Sequence, residues 1–201
     1  MVNVAVIVGS LRRESINRKV ALALQKLARP RGLELSLVEL GDLPQYNDDL
    51  WPDPPPAVTR LKRAVEAADA VLLITPEYNR GVPGLIKNAL DWASRPWGKN
   101  SWAGKPGAIA GATGGKIGTA VAQAELRNSL VVLGVALMGQ PEAYLQVTPG
   151  LIDADFTITD PSFRKFLDGY LACFGEWIGK VADVVPEPGQ PDIAEVMPAA
   201  A

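Results

Sequence analysis

The stretch DAVLLITPEYNRGVPGLIKNALDWASRPWG, residues 69–98, decides the fold. Val71, Leu72, Leu73 and Ile74 form a continuous apolar run of strand length, the pattern of a central parallel strand buried on both faces. Thr75 and Pro76 end it, because proline has no N–H for a sheet ladder. Glu77-Tyr78-Asn79-Arg80-Gly81 has loop composition. Pro83 and Gly84 then open a helix carrying Leu85, Ile86, Ala89, Leu90, Trp92 and Ala93, and Pro96 stops it. In open α/β sheets ligands gather at the carboxyl ends of strands. Pro76 to Gly81 would fall there.

The same alternation extends upstream. Asn3 to Val8 is a short apolar run ending in Gly9-Ser10, a buried first strand. Val20, Leu24 and Leu27 recur at helical spacing, with Ala21 and Ala28 beside them, and predict a helix from Ser15 or Ile16 to Ala28, ended by Pro30 and Gly32. Leu33 to Leu40 alternates apolar and polar, as a strand nearer a sheet edge does. Gly41 to Pro56 is a long loop rich in proline and acid; long loops in compact domains are often functional. Its Tyr46, Leu50 and Trp51 either cover a ligand or a second subunit or simply pack inward. Val58, Leu61, Ala64, Val65 and Ala68 mark a second helix.

Downstream, Pro106 to Ala112 is a fourth strand of small residues. Thr113-Gly114-Gly115-Lys116 is a tight turn leading into a helix that ends near Leu133. Val135–Met138 and Ala143–Val147 read as a fifth strand interrupted around Gly139-Gln140-Pro141. In the last helix, Pro161 to Val184, Phe163, Phe166, Leu167, Tyr170, Leu171, Phe174, Trp177 and Ile178 repeat at three and four, so this stripe is core and not a cofactor box. Cys173 in the same helix is read as structural. Residues 1–185 thus form one domain, followed by a Pro/Ala-rich tail, 186–201, expected to be mobile or wrapped on a neighbour. Strands alternating with helices predict a doubly wound, five-stranded parallel sheet of order 2-1-3-4-5 with helices on both faces.

In that order the Ser10–Asn17, Pro76–Gly81 and Thr113–Lys116 loops meet at one end of the sheet. The first carries Ser10, Arg12, Arg13, Ser15, Asn17 and Arg18. Hydroxyls, guanidinium groups and free N–H groups at a helix N-terminus make an anion site; the alternative is a capped helix with a solvated basic first turn, which opposes the helix dipole. The dinucleotide fingerprint fails here, since no second or third glycine follows Gly9 at the required spacing, and Glu39 is then an ordinary strand-end residue. Ala112-Thr113-Gly114-Gly115-Lys116 fails the P-loop pattern: Ala110 stands where the first glycine belongs, and Ile117 replaces the hydroxyl residue. It is either a plain strand-to-helix turn or a place where a flat ring approaches backbone.

Composition narrows the chemistry. The 201 residues contain no histidine and one cysteine, which excludes His-based triads, multi-cysteine metal sites and intrachain disulfides, so no metal site is expected. A reducing, cytoplasmic setting fits the single thiol. The net charge of −2 argues against a nucleic-acid partner. No apolar run reaches the roughly 18 residues of a membrane span, and the chain opens on a strand, so neither a membrane segment nor a signal peptide is expected. An enzyme of this composition would leave the hard chemistry to a cofactor.

The strings GSLRRESINRKVA (9–21), TPEYNRGVPGLIKNALDW (75–92) and GATGG (111–115) resemble the NADPH-dependent FMN reductase family of flavodoxin-like proteins, which includes chromate, quinone and azo reductases. The resemblance covers residues 3–182. It implies FMN as cofactor and NADPH or NADH as co-substrate. Ser10, Arg12, Ser15 and Asn17 would hold the FMN phosphate. Pro76, Glu77, Tyr78 and Asn79 would border the isoalloxazine, largely through backbone groups, and Thr113, Gly114 and Gly115 would close on its pyrimidine side. Hydride passes to the flavin and then to quinone, azo, chromate or similar small-molecule acceptors in a ping-pong cycle. No side chain is strictly catalytic, with Tyr78 either a ring-side contact or a loop-packing residue. A homodimer or homotetramer is also implied, with the helix of Trp92, its flank at Trp97 and Trp102, and the Tyr46–Trp51 loop as candidate boundary. The competing classes are a flavodoxin-type electron carrier, which usually has a T-x-T-G-x-T phosphate loop and strong acidity, and a flavin-binding regulatory protein.

Overall fold

The computed structural model describes residues 1–184. Its elements are β1 (Val2–Val8), α1 (Ile16–Ala28), β2 (Leu33–Leu37), α2 (Pro56–Ala67), β3 (Ala70–Ile74), α3 (Gly84–Ala93), β4 (Pro106–Thr113), α4 (Ala120–Val132), β5 (Ala136–Leu137), β6 (Ala143–Gln146) and α5 (Pro161–Val184). All strand pairs are parallel, in the order β2-β1-β3-β4-β5, with β6 also paired to β4. β5 registers against Pro106 and Gly107, and β6 against Ala110 to Thr113. They are one fifth strand broken where the sequence placed Gly139-Gln140-Pro141. The flavodoxin-like, doubly wound sheet is therefore the fold of this chain. The tail expected at 186–201 lies outside the described residues.

Strand residues alternate between two cores, as the two-residue pleat requires. Val4, Val6, Val8, Leu72 and Ile74 pack with Val20 and Leu24 of α1 and with Leu167, Tyr170, Leu171 and Phe174 of α5. Ala5, Ile7, Val71 and Leu73 pack with Val58, Leu61 and Val65 of α2, Ile86 and Leu90 of α3, and Leu126 and Leu130 of α4. Every residue of β3 is buried, which is why its apolar run is unbroken. At roughly 1.5–3 kcal/mol per fully buried large aliphatic side chain, this central strand anchors both layers.

Three expectations are corrected. Trp92 and Trp102, proposed for a subunit boundary, are fully buried inside the protomer. Trp92 Nε1 donates to the Pro44 carbonyl at 2.8 Å, and Tyr46 and Trp51 meet its ring edge-on at 4.9 and 5.3 Å. The Tyr46–Trp51 loop is thus spent largely on packing against its own chain. The indole nitrogens of Trp92 and Trp102 both reach carbonyls, so these two rings are satisfied in the core, whereas Trp51 Nε1 finds no partner among the described residues. Second, Cys173 is exposed and has no packing role; Phe166 also turns outward. Third, α4 starts at Ala120, not directly after the glycine turn, because Gly118 and Thr119 are both left-handed, with φ of 60° and 67°.

Candidate functional site

β1, β3 and β4 are sheet neighbours whose ends lie level: Val8 registers with Ile74, and Ile74 with Ala110. The three loops leaving these ends form one continuous rim. On the first, Ser15 caps α1, its Oγ accepting from Arg18 N at 3.2 Å. Asn17 is buried, and its amide is used at both ends: Nδ2 donates to Ala112 O and Oδ1 accepts from Ala112 N, each at 2.9 Å. The side chain imitates a neighbouring strand and fixes the start of α1 against the end of β4. An Asn17 contact to a phosphate is therefore left to its backbone N–H. Among the described residues, the N–H groups of 11–14, Ile16 and Asn17 find no acceptor, and the first turn of α1 holds no acidic side chain. Arg12 and Arg13 are exposed, and neither has a carboxylate within 4 Å among the described residues.

The second loop folds into a tight hairpin. Tyr78 and Gly81 exchange N–H···O bonds of 3.2 and 3.0 Å, while Asn79 and Arg80 both have positive φ, 52° and 66°. That is a type I′ turn, natural for asparagine and strained for arginine. Strain of this kind, about 1–3 kcal/mol, persists where surroundings over-determine it, often at ligand clamps. Tyr78 stands out from the turn, 52 % exposed. Glu77 turns the other way: its side chain is 7 % exposed, and it accepts from Arg80 at 2.8 Å and from Val121 N and Ala122 N of α4, each at 3.1 Å. Burial alone would raise its pKa; the Ala122 N–H, the Arg80 guanidinium and the Val121 N–H together outweigh burial and hold it below the ordinary value. Glu125 of α4 reciprocates by accepting from Val82 N at 2.8 Å.

The third loop is seated on β6 and on α4. Val147 N donates to Thr113 O at 2.9 Å, and Gln146 to Gly114 O at 3.3 Å. Thr113 Oγ1 accepts from Gly115 N at 3.3 Å. Gly114 and Gly115 are exposed, and nothing lies within 4 Å of where a side chain at Gly114 would begin. Gly111 is the opposite case: a Cβ there would lie 1.9 Å from Thr119 Oγ1 and 2.5 Å from Thr75 O. Thr119, buried and left-handed, makes no side-chain cap for α4, so Glu77 supplies that cap from the neighbouring loop.

These features fit FMN. N–H and guanidinium groups that are unengaged among the described residues suit a phosphate at a helix N-terminus, and two loops rich in exposed backbone stand beside it, one carrying an aromatic ring. Among the described residues no cluster of acids, cysteines or histidines could hold a metal, and no helix is long and apolar enough to cross a membrane.

Fold and site together define a flavodoxin-like flavin-binding protein. The sequence pattern of the NADPH-dependent FMN reductases matches residues 2–148, and the chain belongs to that family: it is an oxidoreductase with FMN as cofactor and NAD(P)H as reductant. Relatives include a 2-hydroxy-1,4-benzoquinone reductase from a Burkholderia species, 46 % identical over 175 residues, covering 87 % of this chain and 95 % of that protein. A quinone reductase from Pseudomonas putida is 46 % identical over 177 residues, covering 88 % and 94 %. Among solved structures, FerB of Paracoccus denitrificans, a flavoenzyme NAD(P)H:(acceptor) oxidoreductase, superposes with a TM-score of 0.87 at 54 % identity, over 90 % of this chain and 98 % of that one. A flavodoxin from Pseudomonas aeruginosa, 22 % identical with a TM-score of 0.55 over 88 % and 99 %, shares the fold alone.

Every expected site residue lies on this rim. Sequence reasoning missed the lattice behind it: Asn17 on Ala112, Glu77 on α4, Glu125 on Val82, and Thr119 against Gly111. A threonine before a helix is the one local signal; Thr119 does hold the N-cap position of α4, but its side chain makes no capping bond.

Proposed function

We propose that this protein is an NAD(P)H:quinone oxidoreductase in which the reduced nicotinamide and the acceptor use the same open side of bound FMN in turn. When bound, FMN supplies the two-electron chemistry; the protein's part is to hold, orient and leave access. The observation that carries the site is the set of N–H groups of residues 11–14, Ile16 and Asn17, unengaged among the described residues, beside Arg12. In this reading Ser10, Arg12, Ser15 and the backbone of Asn17 hold the phosphate. Pro76, Glu77, Tyr78 and Asn79 border the ring through backbone groups, and Thr113, Gly114 and Gly115 close its pyrimidine side. The quinone names of the relatives at 46 % identity support quinones as the first acceptor class, with ferric complexes, azo dyes and chromate tolerated because an open face cannot be closely shaped to one acceptor.

We also infer a homodimer or homotetramer, and a cytoplasmic setting consistent with one exposed, unbridged cysteine. The test is the initial rate against NADPH at several quinone concentrations. Parallel double-reciprocal lines are expected. Intersecting lines mean that both substrates bind together and overturn the alternating use of one face.

A further inference from the structure

Glu77 and Glu125 link the two loops expected to border the flavin ring, and no sequence motif assigns them that task. We propose that these two carboxylates form a reciprocal clamp that sets the separation of the Pro76–Gly81 and Thr113–Thr119 loops, with Glu77 a positioning residue for FMN. The proposal rests on the loop assignment made above.

The geometry is specific. A helix N-terminus leaves N–H groups that its own N-cap residue normally satisfies. In α4 that residue is Thr119, buried and left-handed, with its Oγ1 accepting from Gln123 Nε2 at 3.1 Å. The N–H groups of Val121 and Ala122 go instead to Glu77, which belongs to the adjacent loop. The bond from Val82 N to Glu125 runs the other way, from the end of that loop to the second turn of α4. Arg80, held at positive φ, donates to the second oxygen of Glu77. The strained turn that presents Tyr78 is thus tied to the same carboxylate that caps α4. The Pro76–Gly81 loop cannot shift against α4, the helix into which the Thr113–Thr119 loop runs, without breaking these bonds. A ring lying against the backbone of both depends on their spacing, and a preformed spacing lowers the ordering cost of binding.

The charge adds a second effect. The N-terminus of α4 carries the positive end of its dipole, and Glu77 neutralises it. Replacing the carboxylate by a neutral amide leaves that positive end uncompensated beside the ring, which favours the reduced, more negative flavin. A purely structural brace would change neither ring affinity nor potential.

The experiment uses the full chain, stripped of cofactor and titrated with FMN, for wild type, Glu77→Gln, Glu77→Ala and Glu125→Ala. Glu77→Ala and Glu125→Ala are expected to raise the FMN Kd about tenfold, the scale of one lost helix cap, and to speed hydrogen exchange at Val82, Val121 and Ala122 in the cofactor-free protein. Glu77→Gln keeps an acceptor for α4; its Kd should stay within about threefold while the flavin midpoint potential moves to more positive values. Should Glu77→Ala fail to fold, Glu125→Ala and Glu77→Gln decide the matter. Kd values within about twofold of wild type in the alanine variants, with an unchanged potential in Glu77→Gln, overturn the clamp even if thermal stability falls. Wild type without saturable FMN binding overturns the loop assignment itself, and the clamp with it.

Discussion

Arg12 and Arg13 are adjacent, exposed and, among the described residues, without carboxylate partners, yet they stand differently toward the site. Arg12 is the residue whose carbonyl closes the turn onto Ser15 N at 3.0 Å, next to the unengaged N–H groups. Arg13 lines a groove with Glu14, Ser15, Arg18, Ile152 and Phe156 that Arg12 does not line. Arg12→Ala should weaken FMN binding by about 1.5–3 kcal/mol, the scale of a charge-assisted hydrogen bond, and Arg13→Ala by clearly less. Fluorescence titration of both variants checks this, and equal losses would contradict the assigned roles. Tyr78 projects from a strained turn with no hydroxyl partner among the described residues. Its loss as a donor should cost about 1 kcal/mol at most, so Tyr78→Phe should keep at least roughly a tenth of the turnover. A loss beyond a hundredfold in steady-state rate would mean a proton donor that the mechanism omits.

At the scale of elements, the β4–α4 connection concentrates the constraints. A side chain at Gly111 would collide with Thr119 Oγ1 and with a backbone carbonyl that cannot swing aside. Gly111→Ala should therefore cost about 3 kcal/mol or more in urea unfolding, the upper range for overpacking. Gly114→Ala, which faces open space, should stay within about 0.5 kcal/mol. The clamp also makes a pH prediction. Glu77 has its folded-state pKa depressed below the ordinary glutamate value of 4.5, with burial opposing and the N–H groups of α4 and Arg80 winning. A depressed carboxylate contributes stability that is fully present above about pH 4.5 and is lost as pH falls through the lower folded value. The charged groups bonded to this segment are Arg80, which donates to Glu77, and Glu125 of α4, which accepts from Val82 N. Cofactor-free wild type should lose stability below pH 4.5 more steeply than Glu77→Gln; coincident acid-unfolding curves would remove this account.

For the whole molecule, the open question of assembly has shifted ground. Of the tryptophans expected at a boundary, Trp92 and Trp102 are core residues while Trp97 is 74 % exposed, and Leu11, Val131 and Val132 are among the other large hydrophobic side chains that face outward, at 60, 66 and 82 % exposure. Where such exposed apolar side chains form one contiguous patch, they mark interaction surfaces more than the faces of monomers. Light scattering at micromolar concentration should report a dimer or tetramer, and a monomer there would remove the expected assembly.

The chain's periodicities determined its architecture. Residues 71–74 are apolar at every position because β3 is covered on both faces, and Gly139-Gln140-Pro141 by itself marks the interruption of the fifth strand. Such features are local: a run, a spacing or a missing N–H acts within a few residues. The positions of Ser10, Arg12, Tyr78 and Gly114 on one rim followed from strand order, which the alternation of elements fixes. What only the tertiary structure decided were relations between residues far apart in sequence. Asn17 bonds to Ala112, Glu77 to Val121 and Ala122, and Trp92 to Pro44. An asparagine, a glutamate or a tryptophan carries no local mark of its partner, because a polar side chain takes whatever donor or acceptor the packed neighbours leave unsatisfied. The left-handed Thr119 belongs here too. Its conformation opposes its own propensity and is held by Gly111 and Gln123 around it, contacts that exist only once the sheet has formed.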